Sequence, residues 1–272
     1  MQCSIGKNNK DRLKMFVEKL VYKWGIKNIS EFEELESVKK YKPEVYLNGS
    51  QEYGYFCLST PISTIGHIKK LASPNNSIFS EKSDVDENHF SWTAYLSGKP
   101  EKVNVPEIDP ASFSKEYKLN LDKGHLIAKR FMQYIGSNVE ELKPFFYKNN
   151  RSNIIYQFIN TNRNFKDEYG YQAYGQSLFE ARVAEEIENN SNNIYYQIEP
   201  IFFEEQDKIP IGTRIIAFRK TDNKNEFNLD KENIKVPFHV FIPNYDDKNL
   251  FDCSEKYRYL YRKGIEWLKL NT

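Results

Sequence analysis

Hydrolysis of a phosphodiester needs a base to take a proton from water, a sink for the charge of the pentavalent transition state, and a proton for the leaving oxygen. Histidine suits the first task because it ordinarily titrates near neutrality. A hydrated magnesium ion suits the second. It prefers octahedral oxygen ligands and gives up water reluctantly, so one or two amide or carboxylate oxygens are enough to hold it. The middle of this chain offers both kinds of group: Asp122-Lys123-Gly124-His125, followed by Asn153, Asn162 and Glu180. His125 ends an alternating segment (Tyr117, Leu119, Leu121) that reads as a strand. Gly124 before it admits a backbone angle that other residues resist, which would aim the imidazole into a groove. Asp122 is placed to orient that imidazole or the turn, and Lys123 to set a positive charge near a phosphate. The tetrapeptide alone is not diagnostic; its downstream company is.

The remaining histidines offer less. His239 alternates against the apolar face of its strand and so faces solvent or a second layer, while His67 and His89 have no companions. No glycine-rich phosphate loop is present, and no spacing of nucleophile, histidine and acid suggests acyl transfer. Cys3, Cys57 and Cys253 are odd in number and far apart, which excludes a disulfide framework or a zinc site.

The downstream company reads NIIYQFINTNRNF from Asn153, then YGQSLFEARV, then YYQIEPIF with IP-x-G following. Over about residues 90–245, including the late PFHVFIPN segment, the sequence resembles the DNA/RNA non-specific endonuclease family. These are ββα-metal (His-Me finger) nucleases, and the likeness is to the bacterial branch with a D-R-G-H signature, which includes secreted nucleases and toxin nuclease domains. The resemblance implies an α+β fold with a ββα-metal core on a central antiparallel sheet. It implies an endonuclease acting on DNA, RNA or both with little sequence preference. His125 would be the general base. Asn162 would bind Mg²⁺ directly, with Mn²⁺ as the alternative. Asn153, which matches the family's N-x₈-N pair on a helix, would hold the His125 ring or the scissile phosphate. Glu180 would hold metal-bound water, and Asp122 and Lys123 complete the set. The rivals are a sequence-specific nuclease with the same site and a degenerate nuclease that only binds nucleic acid.

Two departures from the family pattern matter. Lys123 stands where the family has arginine, keeping the charge but losing the bidentate fork that matches phosphate; Arg130 and Arg163 are the candidates to restore it. The second departure is the interval from Asn162 to Glu180, which as unbroken helix would span ~27 Å, too far for one hydrated ion. The helix must break, most naturally at Gly170 or Gly175. Asp167 and Glu168 would point away from Asn162 if that segment is helical, which leaves Glu180.

Around the site, residues 10–41 read as a helical hairpin. Leu13, Phe16, Val17, Leu20, Val21 and Trp24 recur at helical spacing, with Gly25 as the stop. Ser30 and Glu33 form a capping box for a second helix through Phe32, Leu35 and Val38. Residues 1–45 are thus an N-terminal helical extension, and 46–272 the nuclease domain. Residues 73–90 are polar and turn-rich and read as a loop. Strands follow at 91–96, 194–203, 215–218 and 236–242, where Pro237 marks an edge or a strand start. Ile154–Ile159 is a compact apolar run. Phe179, Val183 and Ile187 share a helix face, and Tyr257, Leu260, Tyr261, Gly264, Trp267 and Leu268 line one side of a closing helix.

Composition bounds the rest. Hydrophobic residues at 39% and charged residues at 28% suffice for a core and a soluble surface. A net charge of +1 neither supports nor excludes a nucleic-acid partner, because local charge is uneven. Lys115, Lys118, Lys123, Lys129 and Arg130 make one basic segment, and the eight acidic residues from Glu180 to Asp207 an acidic one. Met1 to Lys10 lacks the apolar region of a signal peptide, and no run approaches the ~20 apolar residues of a membrane span. The expectation is a cytoplasmic start, with export by a signal-independent route open, and no membrane partner. An active cytoplasmic nuclease threatens its host, so an inhibitor (immunity) protein or an activating partner is expected, with the helical hairpin as its candidate surface.

Overall fold

The computed structural model of the chain describes residues 5–47, 54–74, 77–82, 90–97, 121–135, 139–147, 150–163, 175–204, 206–223, 227, 234–245 and 254–264. The strands are β1 (Glu44–Leu47), β2 (Gly54–Cys57), β3 (Ile78–Lys82), β4 (Phe90–Leu96), β5 (Leu121–His125), β6 (Ile154–Phe158), β7 (Ile194–Ile201), β8 (Gly212–Arg219) and β9 (Phe238–Pro243). The helices are α1 (Ile5–Trp24), α2 (Ser30–Glu33), α3 (Glu36–Lys39), α4 (Ile62–Leu71), α5 (Val139–Leu142), α6 (Ile159–Asn162), α7 (Gln176–Asn190) and α8 (Ser254–Lys263). Seven strands form one sheet in the order β1-β2-β9-β8-β7-β4-β3, and β5 pairs with β6 in a separate two-stranded ribbon. Every pairing is antiparallel. The central strands are β-branched and aromatic and are buried on both faces, as expected of a sheet covered on two sides.

Alternation divides the sheet's side chains between two layers. On one face Ala94, Leu96, Tyr196, Ile198, Ile215, Ala217, Phe238 and Val240 pack against Phe179, Val183 and Ile187 of α7 and against Phe131, Met132 and Tyr134. Phe179, Val183 and Ile187 repeat every four residues, so one stripe of α7 carries the contact. All three have no exposed surface; truncating Phe179 to alanine would cost about 3–5 kcal/mol. On the other face, Phe16, Leu20 and Trp24 of α1 and Phe32 of α2 pack on Phe56 and Phe241. Farther along that face, Ile65 and Ile68 of α4 cover Tyr95, Tyr195, Ile216 and Phe218.

Several local expectations change. The second helix of the hairpin is two short helices, because Leu35 takes an extended conformation (φ −57°, ψ 133°) between α2 and α3. No capping box forms; Ser30 is the first residue of α2, and Ile29 before it makes no side-chain cap. Gly25 does end α1, at φ 66°. The segment read as a loop at 73–90 contains β3, whose residues Ile78 to Lys82 pair with Ala94 to Phe90 of β4. Its polar residues reflect an edge strand, which needs burial on one side only. Pro237 precedes β9, an interior strand between β2 and β8, so the strand-start reading holds and the edge reading does not. The closing helix stops at Lys263, with Gly264 at φ 70°; Trp267, Leu268 and the strand expected at 117–119 lie outside the described residues. Acidic side chains between 180 and 207 are partly consumed in ion pairs, Glu186 with Arg219, Glu199 with Arg214 and Glu204 with Arg262. Among the described residues no helix is long and apolar enough to cross a membrane.

Candidate active site

The β5–β6 ribbon runs directly into α6, and α7 begins beside it. In the ribbon Asp122 lies opposite Gln157, Gly124 opposite Ile155 and His125 opposite Ile154. The chain does break between Asn162 and Glu180: α6 ends at Asn162, and α7 starts after Gly175. A Cβ on Gly175 would lie 2.4 Å from the Arg163 carbonyl oxygen and 2.8 Å from that of Asn160. The start of α7 therefore rests against the end of α6 at a distance only glycine permits. Gly170, Asp167 and Glu168 lie outside the described residues.

Gly124 is needed for a similar reason, not for the backbone angle expected from sequence. It sits in the regular pairing of β5. A Cβ there would meet Gln157 Oε1 at 2.0 Å and Asn162 Oδ1 at 3.1 Å. Two amide oxygens thus converge on the same bare backbone.

The His125 ring is held through Nε2, which lies 2.9 Å from the Phe146 carbonyl oxygen. A carbonyl only accepts, so Nε2 carries the hydrogen and donates it. The neutral ring then keeps its lone pair on Nδ1, the nitrogen able to take a proton. Asp122 does not orient this ring. Its buried carboxylate accepts Nε–H and Nη2–H of Arg163, each at 2.7 Å, and Nδ2–H of Asn162 at 3.1 Å. Asp122 therefore turns the amide of Asn162 so that Nδ2 faces the carboxylate, while Oδ1 lies toward Gly124.

Asn153 has no exposed surface, and it and Asn162 share no helix, because β6 separates them. Its Oδ1 accepts Ile127 N–H at 2.8 Å, and its Nδ2 donates to the carbonyls of Ile127 and Phe145, both at 3.3 Å. Burial keeps it from a phosphate. It braces the backbone beside Phe146, and so holds the His125 ring at one remove. Lys123 is half-buried on β5 opposite Tyr156. Arg130 is exposed in the 3-10 turn Lys129–Tyr134.

Glu180 is buried on the first part of α7. Burial pushes its carboxyl up to about 7, against the opposing pull of the Gln176 amide and the Arg130 charge. Gln176 is a residue that sequence reasoning missed. Its Nε2 donates to Glu180 Oε1 and to the His125 carbonyl, both at 2.7 Å, and its Oε1 accepts Gln157 Nε2–H at 2.9 Å. It ties the two ribbon strands to α7. Gln157 was missed as well, although a glutamine inside an apolar run was the available signal, as was Gln176 one helical turn before Glu180. With its nitrogen spent on Gln176, Gln157 presents an Oε1 that is buried and has no hydrogen-bond partner.

Among the described residues no group of three His, Cys, Asp or Glu side chains could hold a metal ion. The oxygens gathered here are instead amides, beside the buried carboxylates of Asp122 and Glu180, which bond Asn162 and Gln176.

No protein-family model matches the sequence, and no curated relative matches it. Solved structures do. NucA from Streptococcus agalactiae aligns in its magnesium-bound form with a TM-score of 0.51 at 16% identity, over 83% of this chain and 93% of NucA. Its metal-free form gives a TM-score of 0.50 at 15% identity, over 80% and 88%. The chain has the fold of the ββα-metal nucleases. A structure described as an extracellular nuclease aligns more loosely, with a TM-score of 0.36 at 15% identity, over 65% of this chain and 90% of that one. The expected cytoplasmic placement is corrected: a first stretch of sequence lacking an apolar segment is no ground for it.

Proposed function

We propose that this protein is a metal-dependent nuclease that hydrolyses phosphodiester bonds of DNA, RNA or both with little sequence preference. The observation that carries the reading is the arrangement on the ribbon. A histidine pinned through Nε2 keeps its lone pair on Nδ1, beside a glycine against which two amide oxygens converge. The fold shared with NucA, described with magnesium bound, supports it.

The residues fit a hydrated divalent cation. A buried amide oxygen without a partner costs about 1–3 kcal/mol, and Gln157 Oε1 is one. Asn162 Oδ1 and Gln157 Oε1 would hold the ion directly or through water, and Glu180 would take up a hydrogen bond from that water. Neutral amide donors leave the ion's charge available to the substrate. When bound, magnesium supplies charge stabilisation for the pentavalent phosphorus and the departing oxygen. His125 Nδ1 takes the proton of the attacking water, and the Phe146 carbonyl keeps the ring from rotating. Asp122 fixes Asn162. Binding through phosphates would weaken with added salt and show little selectivity among bases. An inhibitor or activating partner remains part of the proposal; α1 buries one face on the sheet and leaves Met15 and Tyr22 exposed on another.

The test is digestion of plasmid DNA and ribosomal RNA with Mg²⁺, with EDTA, and with His125→Ala. The proposal expects unpatterned degradation that needs both the metal and His125. Discrete fragments would show sequence-specific cleavage. A folded wild-type protein that binds nucleic acid without cutting it would show a degenerate nuclease.

A further inference from the structure

We infer that Arg163 is the residue that clamps the scissile phosphate, restoring the guanidinium fork that Lys123 lacks. The inference rests on the nuclease reading above. Arg163 follows Asn162 directly and shares Asp122 with it. Its backbone is fixed: the N–H donates to the Ile159 carbonyl at 2.8 Å, and its carbonyl lies where a Cβ on Gly175 would come within 2.4 Å. Its side chain is fixed as well, by two 2.7 Å bonds from Nε and Nη2 to the two oxygens of Asp122. These use one edge of the guanidinium and leave three N–H donors.

The two partners differ in exposure. The Asp122 side chain is 4% exposed and that of Arg163 is 44% exposed. The ion pair is therefore a dipole with its positive end outward, next to the residue expected to hold the cation. A purely structural partner for a buried carboxylate need not be so open. A lysine at 163 could neutralise Asp122, yet it could not grip Asp122 with one edge and a phosphate with the other. The guanidinium is held in place before substrate arrives, the condition under which such groups stabilise developing charge most effectively.

The experiment compares steady-state cleavage of a short duplex by the wild type, Arg163→Lys, Arg163→Ala and the double variant Asp122→Asn/Arg163→Gln, with melting temperatures recorded for each. The double variant removes the charge pair, and because Asp122 also holds the Asn162 amide, its rate reports on Asp122 and Arg163 together, while Arg163→Lys and guanidinium rescue isolate the fork. We expect kcat to fall about 100-fold in Arg163→Lys and in the double variant. KM should change far less, and guanidinium chloride at low millimolar concentration should restore part of the Arg163→Ala rate. A double variant that melts like the wild type and cuts within about threefold of it would overturn the clamp while leaving the nuclease reading intact. A wild type that does not cut under any metal would overturn both together.

Discussion

Among the described residues, one polar network lies on the ribbon and another on the large sheet, and each contains a histidine and an arginine. On the large sheet, His239 has 1% of its surface exposed. Its Nδ1–H donates to the Ser59 carbonyl at 3.0 Å, and Nε2 accepts from Arg214 Nη1 at 3.2 Å. Arg214 in turn bonds Glu199 and Gln197, and Gln197 bonds Thr93. The Tyr41 ring lies 4.9 Å from the Arg214 guanidinium and 4.7 Å from the His239 ring. Both ring nitrogens are spent. On the ribbon, His125 is only half-buried and anchored at Nε2, Arg163 keeps three donors, and Gln157 keeps an oxygen. Closed networks hold layers together; chemistry needs one left open.

The largest separation between the two should come from replacing the histidines. His125→Ala is expected to lower cleavage by at least about 10²–10⁴ with little change in melting temperature. His239→Ala is expected to leave cleavage per folded molecule unchanged and to cost about 1–3 kcal/mol by leaving the buried Arg214 short of an acceptor. Parallel assays of turnover and urea unfolding decide it; equal activity losses would mean that the large-sheet network is coupled to the site.

The glutamines give the next comparison. Gln176→Leu should reduce activity about 10–100-fold, the usual effect of losing a group that orients the site's ligands. Gln197→Leu should affect stability alone, by about 1.5–3 kcal/mol, because its partner is a charged guanidinium. If Gln176→Leu cut at the wild-type rate, its link between Glu180 and the His125 backbone would be structural only.

A smaller effect separates the glycines. Gly124→Ala pushes a methyl toward Gln157 Oε1, a side-chain end that can move, and toward Asn162 Oδ1. Its expected signature is weaker apparent affinity for magnesium at nearly unchanged stability. Gly175→Ala meets the backbone carbonyls of Asn160, Thr161 and Arg163, so it should destabilise the packing of α7 instead. Titrating activity against magnesium for both variants checks this.

These contrasts also show what the sequence could reveal. His125, Asn162 and Glu180 were singled out through the resemblance to the endonuclease family, and the break before α7 was legible from helix length. The stripe of Phe179, Val183 and Ile187 was legible from periodicity. The roles of Asp122, Gly124 and Asn153 were not, since each depends on contacts between segments far apart in the chain: Asp122 with Arg163, Gly124 with Gln157 and Asn162, Asn153 with Ile127. The edge strand β3 was missed because a strand buried on one side carries too few apolar residues to stand out from a loop. His125 closes its alternating run and His239 lies within one, between Phe238 and Val240; the sequence separates their positions but not their hydrogen-bond partners.

Acidity should separate those two histidines as well. The folded state holds the His239 pKa well below its ordinary 6.5, first by burial and then by the positive charges of Arg214 and Lys40, against the opposing pull of the Ser59 carbonyl. A second ring proton would have to sit on Nε2, facing the guanidinium. The unfolded chain takes up that proton near the ordinary pKa, so between the two values it binds more protons than the folded chain does. The stability that comes from excluding the proton is therefore complete above about pH 6.5 and is lost as the pH falls, at roughly 1.4 kcal/mol per pH unit, until the folded pKa is reached. His239→Gln removes this one proton from the balance. Urea unfolding at pH 7.5, 6 and 5 should show a steeper loss for wild type than for His239→Gln by that slope. Identical slopes would mean that the large-sheet network admits the proton, and that it is not closed in the sense that sets it apart from the ribbon.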